Sequence, residues 1–536
     1  YAARSSATLK NSLYDSYIRA IRWASDRIGD AGIVAFVTNA GWVDGNAADG
    51  MRACLAEEFT DLYIFHLRGN QRTSGERSRK EGGKIFGSGS RAPIAISVFV
   101  KNPDAAEHGR IFFHDIGDYL DQKQKLTIIR DFGAVKGINN GAGWERITPD
   151  DQNDWLNQRD VSFDAFIPSV DRKSALKLFA DYSGGLKTNR DIWVYGTSRS
   201  ELAYRITRCI KFLHEEHAHY DAEGGGALRP FEKRHFYLDA DLIERPGSWS
   251  SLVSGDSQEN LFIAVSGRGH RGIFTALMSD VVPNYNFADM DNNQCFPLYL
   301  YDQQDEEPGG LFEGQSSGLQ RCEAITETGL AHFQAAYSGE EITKEDIFYY
   351  VYGLLHSPDY RDRYADNLTK ELPRIPCVKT YADFRAFSDA GRRLGDLHVN
   401  YETVEPYPVT YKQGTPELCK IDDPKTFYRV TKMKFAGKRG DTDKTTVIYN
   451  ANITMTDVPL EAYDYVVNGK PALEWVMERQ VVKTDKASGI VNDANDYANE
   501  TMNNPAYPLE LFQRVITVSL ETMKSVRALP DLDLQE

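Results

Sequence analysis

Gly32-Ile-Val-Ala-Phe-Val-Thr38 decides the fold of the first part of this chain, because its unbroken apolar run is long enough for a buried strand. Helix and strand patterns alternate around it, at residues 10–28, 50–59, 62–67 and 94–100. This alternation predicts half of an α/β layered domain. Ligands in such domains lie beyond the carboxyl ends of the strands.

The chain after about residue 160 lacks this regular alternation, and its fold class is predicted to be mixed α+β. Residues 144–160 are rich in Asp, Asn and Gln, which indicates a connector. A further boundary is expected near residues 303–342, which include an acidic, Gly-rich stretch. Predicted helices lie at residues 171–182, 200–214, 344–355, 360–372, 382–397, 471–479 and 509–527. Predicted strands of this part lie at residues 234–238 and 260–265, and in a hairpin of residues 426–435 and 444–449. In the first part of the chain, a further strand is predicted at residues 110–114.

The formal net charge of −16 at pH 7 opposes non-specific adhesion to nucleic acid. Two stretches are nevertheless locally basic. Residues 68–91 hold seven Lys and Arg against two Glu, and residues 187–211 hold six against one Asp and one Glu. Focused cationic segments on an acidic body favour specific docking on DNA; the alternative is that each is ordinary solvated surface.

The six cysteines are scattered without any Cys-x-x-Cys pair, which argues against a zinc ribbon and against a disulfide framework. The sequence contains no run of about 18 apolar residues, so no membrane span is predicted. A reducing cytoplasm is therefore the simplest expected location.

Motifs along nearly the whole chain carry a family resemblance, among them Leu67-Arg-Gly-Asn-Gln-Arg-Thr-Ser-Gly-Glu76 and Gly185-Leu-Lys-Thr-Asn-Arg-Asp191. The others lie at residues 10–28, 32–44, 82–91, 228–231, 356–360, 373–376 and 488–493. Together they resemble the later motifs of adenine-N6 DNA methyltransferases whose specificity region follows the catalytic domain. More narrowly, they resemble the type ISP restriction-modification enzymes, single polypeptides that join a nuclease, a helicase-like motor, a methyltransferase and a target recognition domain.

The resemblance implies a division of the chain. Residues 1–160 would be the C-terminal half of the methyltransferase domain, with a partial Rossmann-like sheet, and residues 161–536 the target recognition domain. The implied partners are duplex DNA and, within the same polypeptide, the N-terminal methyltransferase half with the nuclease and helicase-like portions. The implied location is the prokaryotic cytoplasm, at the nucleoid when DNA is bound.

The family also carries a glycine-containing loop for S-adenosylmethionine and an Asn-Pro-Pro-Tyr/Phe tetrapeptide that holds the target amino group. The sequence has no Pro-Pro dipeptide. We therefore expect a part of a longer polypeptide, with S-adenosylmethionine bound mainly by the preceding half and no cofactor bound by this chain alone. No catalytic residue and no metal ligand is assigned here, so whether the chain is itself an enzyme stays open.

The segment of residues 68–91, called the 68–91 loop below, is the first candidate DNA-binding site. A methyltransferase must extrude its target base from the stack, and the base then needs an aromatic face. The resemblance assigns that stacking role to Phe86, and the alternative is that Phe86 fills the core. The basic residues expected to meet phosphates or guanine edges are Arg68, Arg72, Arg77, Arg79, Lys80, Lys84 and Arg91.

Three further segments are candidate DNA-binding sites. Lys187, Thr188, Asn189 and Arg190 offer donors suited to phosphate oxygens, although they could equally form a junction between domains. Arg229, Lys233 and Arg234 suit either a clamp on DNA or a half-buried strand. Lys432, Lys434 and Arg439 belong to the predicted hairpin, which could enter a major groove.

Two other patterns suggest different classes of function. Residues 267–272 satisfy Gly-x-Gly-x-x-Gly and precede a run predicted to be helical at 273–278, so a nicotinamide-dependent oxidoreductase is an alternative. The histidines of residues 214–219 are spaced by three and two, which does not fit His-Glu-x-x-His and indicates a solvated helix end. A non-catalytic DNA- or protein-interaction scaffold is the third possibility.

Overall fold

The structure of the chain is a computed structural model. It describes residues 1–7, 10–71, 80–81, 85–86, 91–134, 143–171, 174–213, 223–237, 243–244, 249, 252, 260–302, 320–416, 420–438 and 441–535. The chain forms two compact units. Unit 1 comprises Tyr1–Phe163 and Asp366–Glu371, and unit 2 comprises Asp164–Ala365 and Leu372–Glu536.

Unit 1 contains one five-stranded sheet with helices. Its helices are α1 Ser16–Arg27, α2 Gly41–Asp44, α3 Asp49–Glu58 and α4 Gln122–Phe132, with 3-10 turns at Asn11–Tyr14 and Asn46–Ala48. Its strands are β1 Gly32–Asn39, β2 Asp61–His66, β3 Ile94–Lys101, β4 Arg110–Asp115 and β5 Glu145–Ile147. The predicted strands and the helix predicted at residues 50–59 are confirmed, with shifts of one residue at their ends. The helix predicted at residues 10–28 is shorter, because the extended backbone of Asp15 separates a 3-10 turn from α1.

The sheet of unit 1 has the strand order β1-β3-β2-β4-β5. β3 is antiparallel to both β1 and β2, while β2 and β4 are parallel. β1, β2 and β4 therefore point the same way, and their carboxyl ends lie at one edge of the sheet. The 68–91 loop starts at that edge, where ligands of α/β sheets are expected.

The core of unit 1 forms because alternate strand residues meet the apolar face of the preceding helix. Val34 of β1 and Phe99 of β3 pack with Ile18 and Ile21 of α1. Gly29 ends this helix region with a φ of 66°, a conformation that favours glycine.

Unit 2 contains most of the helices and strands. Its helices are α5 Asp191–Val194, α6 Arg199–Leu213, α7 Glu327–Ala336, α8 Lys344–Leu354, α9 Pro358–Arg363, α10 Ala365–Lys370 (largely in unit 1), α11 Tyr381–Val399, α12 Pro424–Phe427, α13 Ala472–Arg479, α14 Ala494–Asp496 and α15 Tyr507–Arg527. Short 3-10 or π turns lie at Val161–Ala165, Leu460–Tyr463 and Tyr497–Thr501. Its strands are β6 Ile167–Pro168, β7 Ser183–Gly184, β8 Tyr195–Gly196, β9 Glu223–Arg229, β10 Glu232–Tyr237, β11 Phe262–Ser266, β12 Ala276–Ser279, β13 Val282–Pro283, β14 Asn293–Pro297, β15 Tyr299–Asp302, β16 Gln320–Glu323, β17 Arg374–Ile375, β18 Thr410–Tyr411, β19 Lys434–Lys438, β20 Asp441–Ile448, β21 Thr454–Thr456, β22 Val466–Val467, β23 Lys470–Pro471, β24 Val482–Thr484 and β25 Val491–Asp493.

Two four-stranded sheets of unit 2, β13-β9-β10-β8 and β12-β11-β14-β7, contribute to one hydrophobic core. β7, β9, β11 and β13 all run toward the same end, as their pairing with antiparallel and parallel neighbours requires. The connections that follow them therefore gather at that end. We call this surface the loop end; it consists of residues 185–191, 229–231, 267–275 and 284–292.

Three predicted elements of unit 2 are wrong. Residues 174–182 form turns and short bridges rather than a helix, because the buried Phe179 pairs with Ile325 as part of a sheet-like contact. Residues 276–279 form strand β12 instead of a helix. The first arm of the predicted hairpin is shorter than expected, since residues 424–427 are helical and the strand begins at Lys434.

In the described part of the chain, no helix is both long and apolar enough to cross a membrane.

Candidate nucleic-acid interface

Arg68 follows β2 and adopts a φ of 51°, in the left-handed region. Its guanidinium donates two hydrogen bonds to the carboxylate of Asp115, one of them at 2.7 Å, and lies 3.5 Å from Asp118. Hydrogen bonding to Asp115 raises the pKa of Arg68 and keeps it charged. Arg68 must therefore exchange protein carboxylates for phosphate before it can bind DNA.

Phe86 lies in the same loop with 52% of its surface exposed, so it does not fill the core. Its neighbour Ile85 accepts a hydrogen bond at the carbonyl from Nε2 of Gln122, at the start of α4, at 2.7 Å. Nζ of Lys80 lies 5.7 Å from the ring centroid of Tyr119, a cation–π contact. Ile85 is thus held by the start of α4 and Lys80 by Tyr119, while the Phe86 ring is half-exposed.

The remaining residues of this loop are only partly described. Arg91 is exposed, and its carbonyl accepts from the N–H of Gln71 at 2.9 Å. The buried Glu81 accepts from the N–H of Gly69 at 3.1 Å and so fixes the start of the loop. The predicted DNA contacts that lie outside the described residues are Arg72, Arg77, Arg79 and Lys84.

Residues 187–191 form a turn capped by Thr188. This buried hydroxyl donates to Oδ1 of Asp191 at 2.5 Å and accepts from the N–H of Arg190 at 3.0 Å. Thr188 therefore holds the backbone and does not face a phosphate. Arg190 is exposed at the surface.

Lys187 and Asn189 both contact the carboxylate of Glu244. Nζ of Lys187 lies 3.7 Å from it, and the amide of Asn189 donates a hydrogen bond to it. Lys187 also lies 5.7 Å from the ring centroid of Tyr285. Of the two cations in this segment, Lys187 is half-buried and Arg190 is exposed.

Asn284 joins the turn of residues 187–191 to Arg229, in the next candidate DNA-binding segment. Its side-chain amide donates to Oδ1 of Asp191 at 3.1 Å and its carbonyl oxygen accepts from Arg229 at 2.8 Å. Arg229 also lies 3.4 Å from Oδ2 of Asp191. Arg229 thus fastens two loops of the loop end together.

The two other basic residues of this predicted clamp point into protein. Lys233 lies 3.1 Å from Asp280 and 3.6 Å from Glu402. Arg234 is only 9% exposed and donates to Oε1 of Glu232 at 2.6 and 2.9 Å. Both residues therefore fit the alternative of a half-buried strand. Neither Lys233 nor Arg234 belongs to the proposed DNA interface.

The hairpin of β19 and β20 presents Lys432, Lys434 and Lys438 on its surface, all exposed. In the described residues none of these three side chains has a hydrogen bond or ion pair, although the backbones pair with neighbouring strands. The third predicted contact, Arg439, lies outside the described residues. The hairpin is thus accessible to a groove, as predicted, although its contact with DNA stays a prediction.

The Gly-x-Gly-x-x-Gly stretch is the turn of an antiparallel β-hairpin, since β11 leads through it into β12. A dinucleotide site requires a helix after this loop, whose N-terminus faces the pyrophosphate. The side chain of Asn292 also fills the space beside Gly267, where a Cβ would meet its Oδ1 at 1.5 Å. The stretch leads into strand β12 and not into the helix that a dinucleotide site requires, so the oxidoreductase alternative is wrong.

Residues 284–292 belong to the loop end, and the sequence predicted no site residue among them. The N–H of Gly267 donates to the carbonyl of Asn292 at 2.9 Å, and Nε of Arg271 donates to Asp291 at 3.0 Å. This loop therefore links residues 187–191 to residues 267–272. The signal that could have revealed it is the density of Asn and Asp in 284–293, residues that favour turns through their own backbone hydrogen bonds.

Metal and nucleoside sites are not apparent in the described residues. No group of three or more His, Cys, Asp or Glu side chains there could hold a metal ion. The His cluster of residues 214–219 lies outside the described residues. A cavity of about 10 Å³ between Phe231, Met278 and Tyr401 holds about one water and is too small for a nucleoside.

Comparisons with known proteins decide the family. Residues 224–511, more than half of the chain, match the family model of the Type ISP C-terminal specificity domain. The chain belongs to the type ISP family. The resemblance inferred from the sequence motifs is thereby confirmed. A comparison with curated protein sequences finds no match.

Solved structures of DNA complexes resemble the whole chain. The ATP-dependent Type ISP restriction-modification enzyme LlaBIII bound to DNA is 34% identical with a TM-score of 0.86, over 100% of this chain and 36% of that one. A nuclease-deletion mutant of the Type ISP enzyme LlaGI with a DNA substrate mimic is 35% identical (TM-score 0.82), over 100% and 50%. The DrdV–DNA complex is 30% identical (TM-score 0.81), over 99% and 53%. The chain therefore spans between about a third and about half of these enzymes.

Proposed function

We propose that this chain recognises a short sequence in duplex DNA and positions a target adenine within a type ISP restriction-modification enzyme. In this proposal residues 1–160 belong to an adenine-N6 methyltransferase domain, and residues 161–536 form the target recognition domain. The family match and the DNA-bound state of the similar structures support it. So does the parallel direction of β1, β2 and β4, which is that of an α/β ligand-binding sheet.

The observation that carries the proposal is the composition of the loop end. It holds five Lys and Arg against three Asp in a chain whose net charge is −16. One of those acids, Asp289, is buried, and Asp191 is bound by Thr188 and Asn284. Arg190 and Arg268 are exposed at this surface, and exposed cations on an acidic protein direct a polyanion to one place.

The exposed Arg190 and Arg268 are the side chains that would read DNA. A guanidinium can bind a phosphate or form two parallel hydrogen bonds to O6 and N7 of guanine. Phosphate contacts set the register of the protein on the duplex, and base contacts select the sequence. Lys187 and Arg229 support this by holding the loops that carry these residues.

The 68–91 loop would seat the extruded base. The half-exposed ring of Phe86 provides a stacking surface, and the contact from Gln122 to Ile85 keeps that surface in place. Stacking on an aromatic ring offsets part of the free energy of unstacking a base, which is a few kcal/mol.

S-adenosylmethionine would supply the methyl group in the complete enzyme. We assign its binding mainly to the methyltransferase half outside this chain, and none of the described residues is assigned to it. The cavity near Tyr401 is too small to hold it.

Selection from a random duplex pool tests the proposal. The chain is incubated at low salt with random-sequence duplexes, and the retained DNA is sequenced. We expect one short consensus to be enriched, with an affinity that falls steeply as salt rises, because bound cations release counterions. Retention without any consensus, or no retention, would favour the non-catalytic scaffold.

Replacing Phe86 tests base seating. In the intact enzyme, with 2-aminopurine at the target position, the wild type should raise fluorescence because the base leaves the stack. Phe86→Ala should lose most of this rise, while Tyr14→Ala, at another exposed aromatic residue of unit 1, should retain it. An unchanged signal in Phe86→Ala would remove the stacking role.

A further inference from the structure

Two large apolar side chains stand exposed on adjacent loops of the loop end. Ile273 is 56% exposed and Met290 is 59% exposed. Arg271 donates to Asp291 from Nε at 3.0 Å, and this ion pair joins the two loops at positions next to these side chains. The exposed apolar pair is therefore carried by one connected piece of structure.

Two arginines, Arg268 and Arg271, lie on the same loop as Ile273. Arg268 is exposed, and within the described residues it has no hydrogen bond or ion pair. Arg271 is half-exposed and shares its charge with Asp291, while the nearby carboxylate of Asp289 is buried. We call Ile273 and Met290, together with Arg268 and Arg271 of the same connected loops, the tip. Its combination of exposed apolar side chains and guanidinium groups matches the chemistry of duplex DNA, which presents apolar base faces between rows of phosphates.

Contacts of His270 hold the base of the tip, residues 267–274, in place. The buried His270 shares a hydrogen bond between Nδ1 and the carbonyl of Gly267 at 3.0 Å, and its ring lies 6.1 Å from that of Phe274. Burial lowers the pKa of His270 and raises that of Asp289. A preorganised tip loses little conformational entropy when it binds.

The tip is also continuous with the proposed DNA-reading surface. Asn286 donates from its side chain to the carbonyl of Met290 at 2.6 Å. In the same loop Asn284 contacts Asp191 and Arg229. A duplex held by Arg190 would thus lie over the loop that carries Met290.

We propose that Ile273 and Met290 form a wedge that inserts between neighbouring base pairs of the bound duplex. This inference rests on the proposed function. Arg268 and Arg271 would hold phosphates on either side of the opened step. Ile and Met are among the side chains that proteins insert in this way, and the result is a kink of roughly 20–90°. The wedge would add a preference for base steps that unstack easily, such as pyrimidine–purine steps.

Bending of bound DNA tests the wedge. A duplex selected from the random pool carries a fluorescent donor and acceptor at its two ends, and energy transfer is measured on binding the full chain. The wild type should raise the transfer efficiency. The double variant Ile273→Ala with Met290→Ala should still bind, with a Kd raised by about tenfold or less, and should lose most of the rise.

Leu460→Ala is the matched control, because Leu460 is also 56% exposed and lies in unit 2 outside the loop end. It should bend DNA as the wild type does. A second readout is 2-aminopurine placed along the duplex, which should brighten at one step with the wild type and not with the double variant. Unchanged thermal unfolding of both variants confirms that they fold.

The outcomes separate the two proposals. Binding by the wild type without bending or a bright step would overturn the wedge and leave the DNA-recognition proposal intact. Bending that persists in the double variant would overturn it as well. Absence of any duplex binding by the wild type would overturn the proposed function, and the wedge with it.

Discussion

Gly185 shows how a single residue organises the loop end. A Cβ at this position would lie 2.3 Å from the carbonyl oxygen of Asn284, which is backbone and cannot move aside easily. Gly185→Ala should therefore lower the free energy of unfolding by about 1–3 kcal/mol in urea denaturation. Gly272→Ala is the control, since a Cβ there meets nothing within 4 Å, and an equal loss in both variants would contradict the argument.

Buried histidines give unit 2 a pH-dependent stability. His398 bonds through Nδ1 to the hydroxyl of Tyr352 at 2.6 Å and through Nε2 to that of Thr522 at 2.9 Å. Burial, with the charge of Arg361, lowers the pKa of His398 to about 3 and lowers that of the neighbouring His356 well below its ordinary value. Both side chains are therefore neutral in the folded protein at neutral pH.

In the unfolded chain each histidine takes up a proton near pH 6.5, whereas the folded protein does so only at much lower pH. The unfolded state then binds more protons, so stability should fall as pH drops below about 6.5, by up to about 1.4 kcal/mol per histidine and pH unit. Urea denaturation at pH 7.5, 6 and 5 measures this slope. His398→Gln should make it shallower than in the wild type, and an equal slope would contradict the assignment.

Sequence reasoning located basic residues but not their partners. The charge of the 68–91 loop was apparent, yet Asp115, which binds Arg68, lies 47 positions further along the chain. Arg234 was assigned to DNA because it is basic, whereas its burial beside Glu232 follows from the strand on which it lies. Ion pairing between distant segments is set by the fold and cannot be read from local charge.

At the scale of elements, long periodic segments were predictable and short ones were not. α8, α11 and α15 match their predicted ranges because each repeats apolar residues at helical spacing over several turns. Residues 273–278 are apolar enough for either a helix or a strand. Residues 276–279 form strand β12 because they pair with β11. The end of the sheets at which loops gather depends on strand direction, which no local pattern encodes.

A buried charge cluster ties the later segment of residues 366–371 into unit 1. Asp154 is buried and accepts from Arg52 at 2.6 Å and from Lys370 at 2.8 Å. Asp154→Ala would leave two cations buried without a carboxylate, which should destabilise unit 1 by about 3–5 kcal/mol. Differential scanning calorimetry should show the transition of unit 1 at lower temperature.

The control is Glu57→Ala, which breaks an exposed pair with Arg4 and should change the transition little, because water screens exposed charges. A shift in Asp154→Ala no larger than that of Glu57→Ala would contradict a structural role for the buried cluster.

At the scale of the whole molecule, an acidic chain carries, in unit 2, a loop end in which Lys and Arg outnumber Asp. The net charge of −16 repels DNA from most of the surface, so contact is confined to places where exposed cations gather. The proposal accordingly assigns sequence recognition to the loop end of unit 2 and base seating to the 68–91 loop of unit 1. Specificity then depends on few side chains, above all Arg190 and Arg268.

Site-specific photocrosslinking tests this claim most directly. A benzophenone amino acid replaces Arg268 in one variant and Lys524, an exposed residue of α15, in another, and each is irradiated with the selected duplex. We predict a protein–DNA crosslink from position 268 and none from position 524. Binding of the duplex without a crosslink from position 268, or equal crosslinking from both positions, would contradict the account.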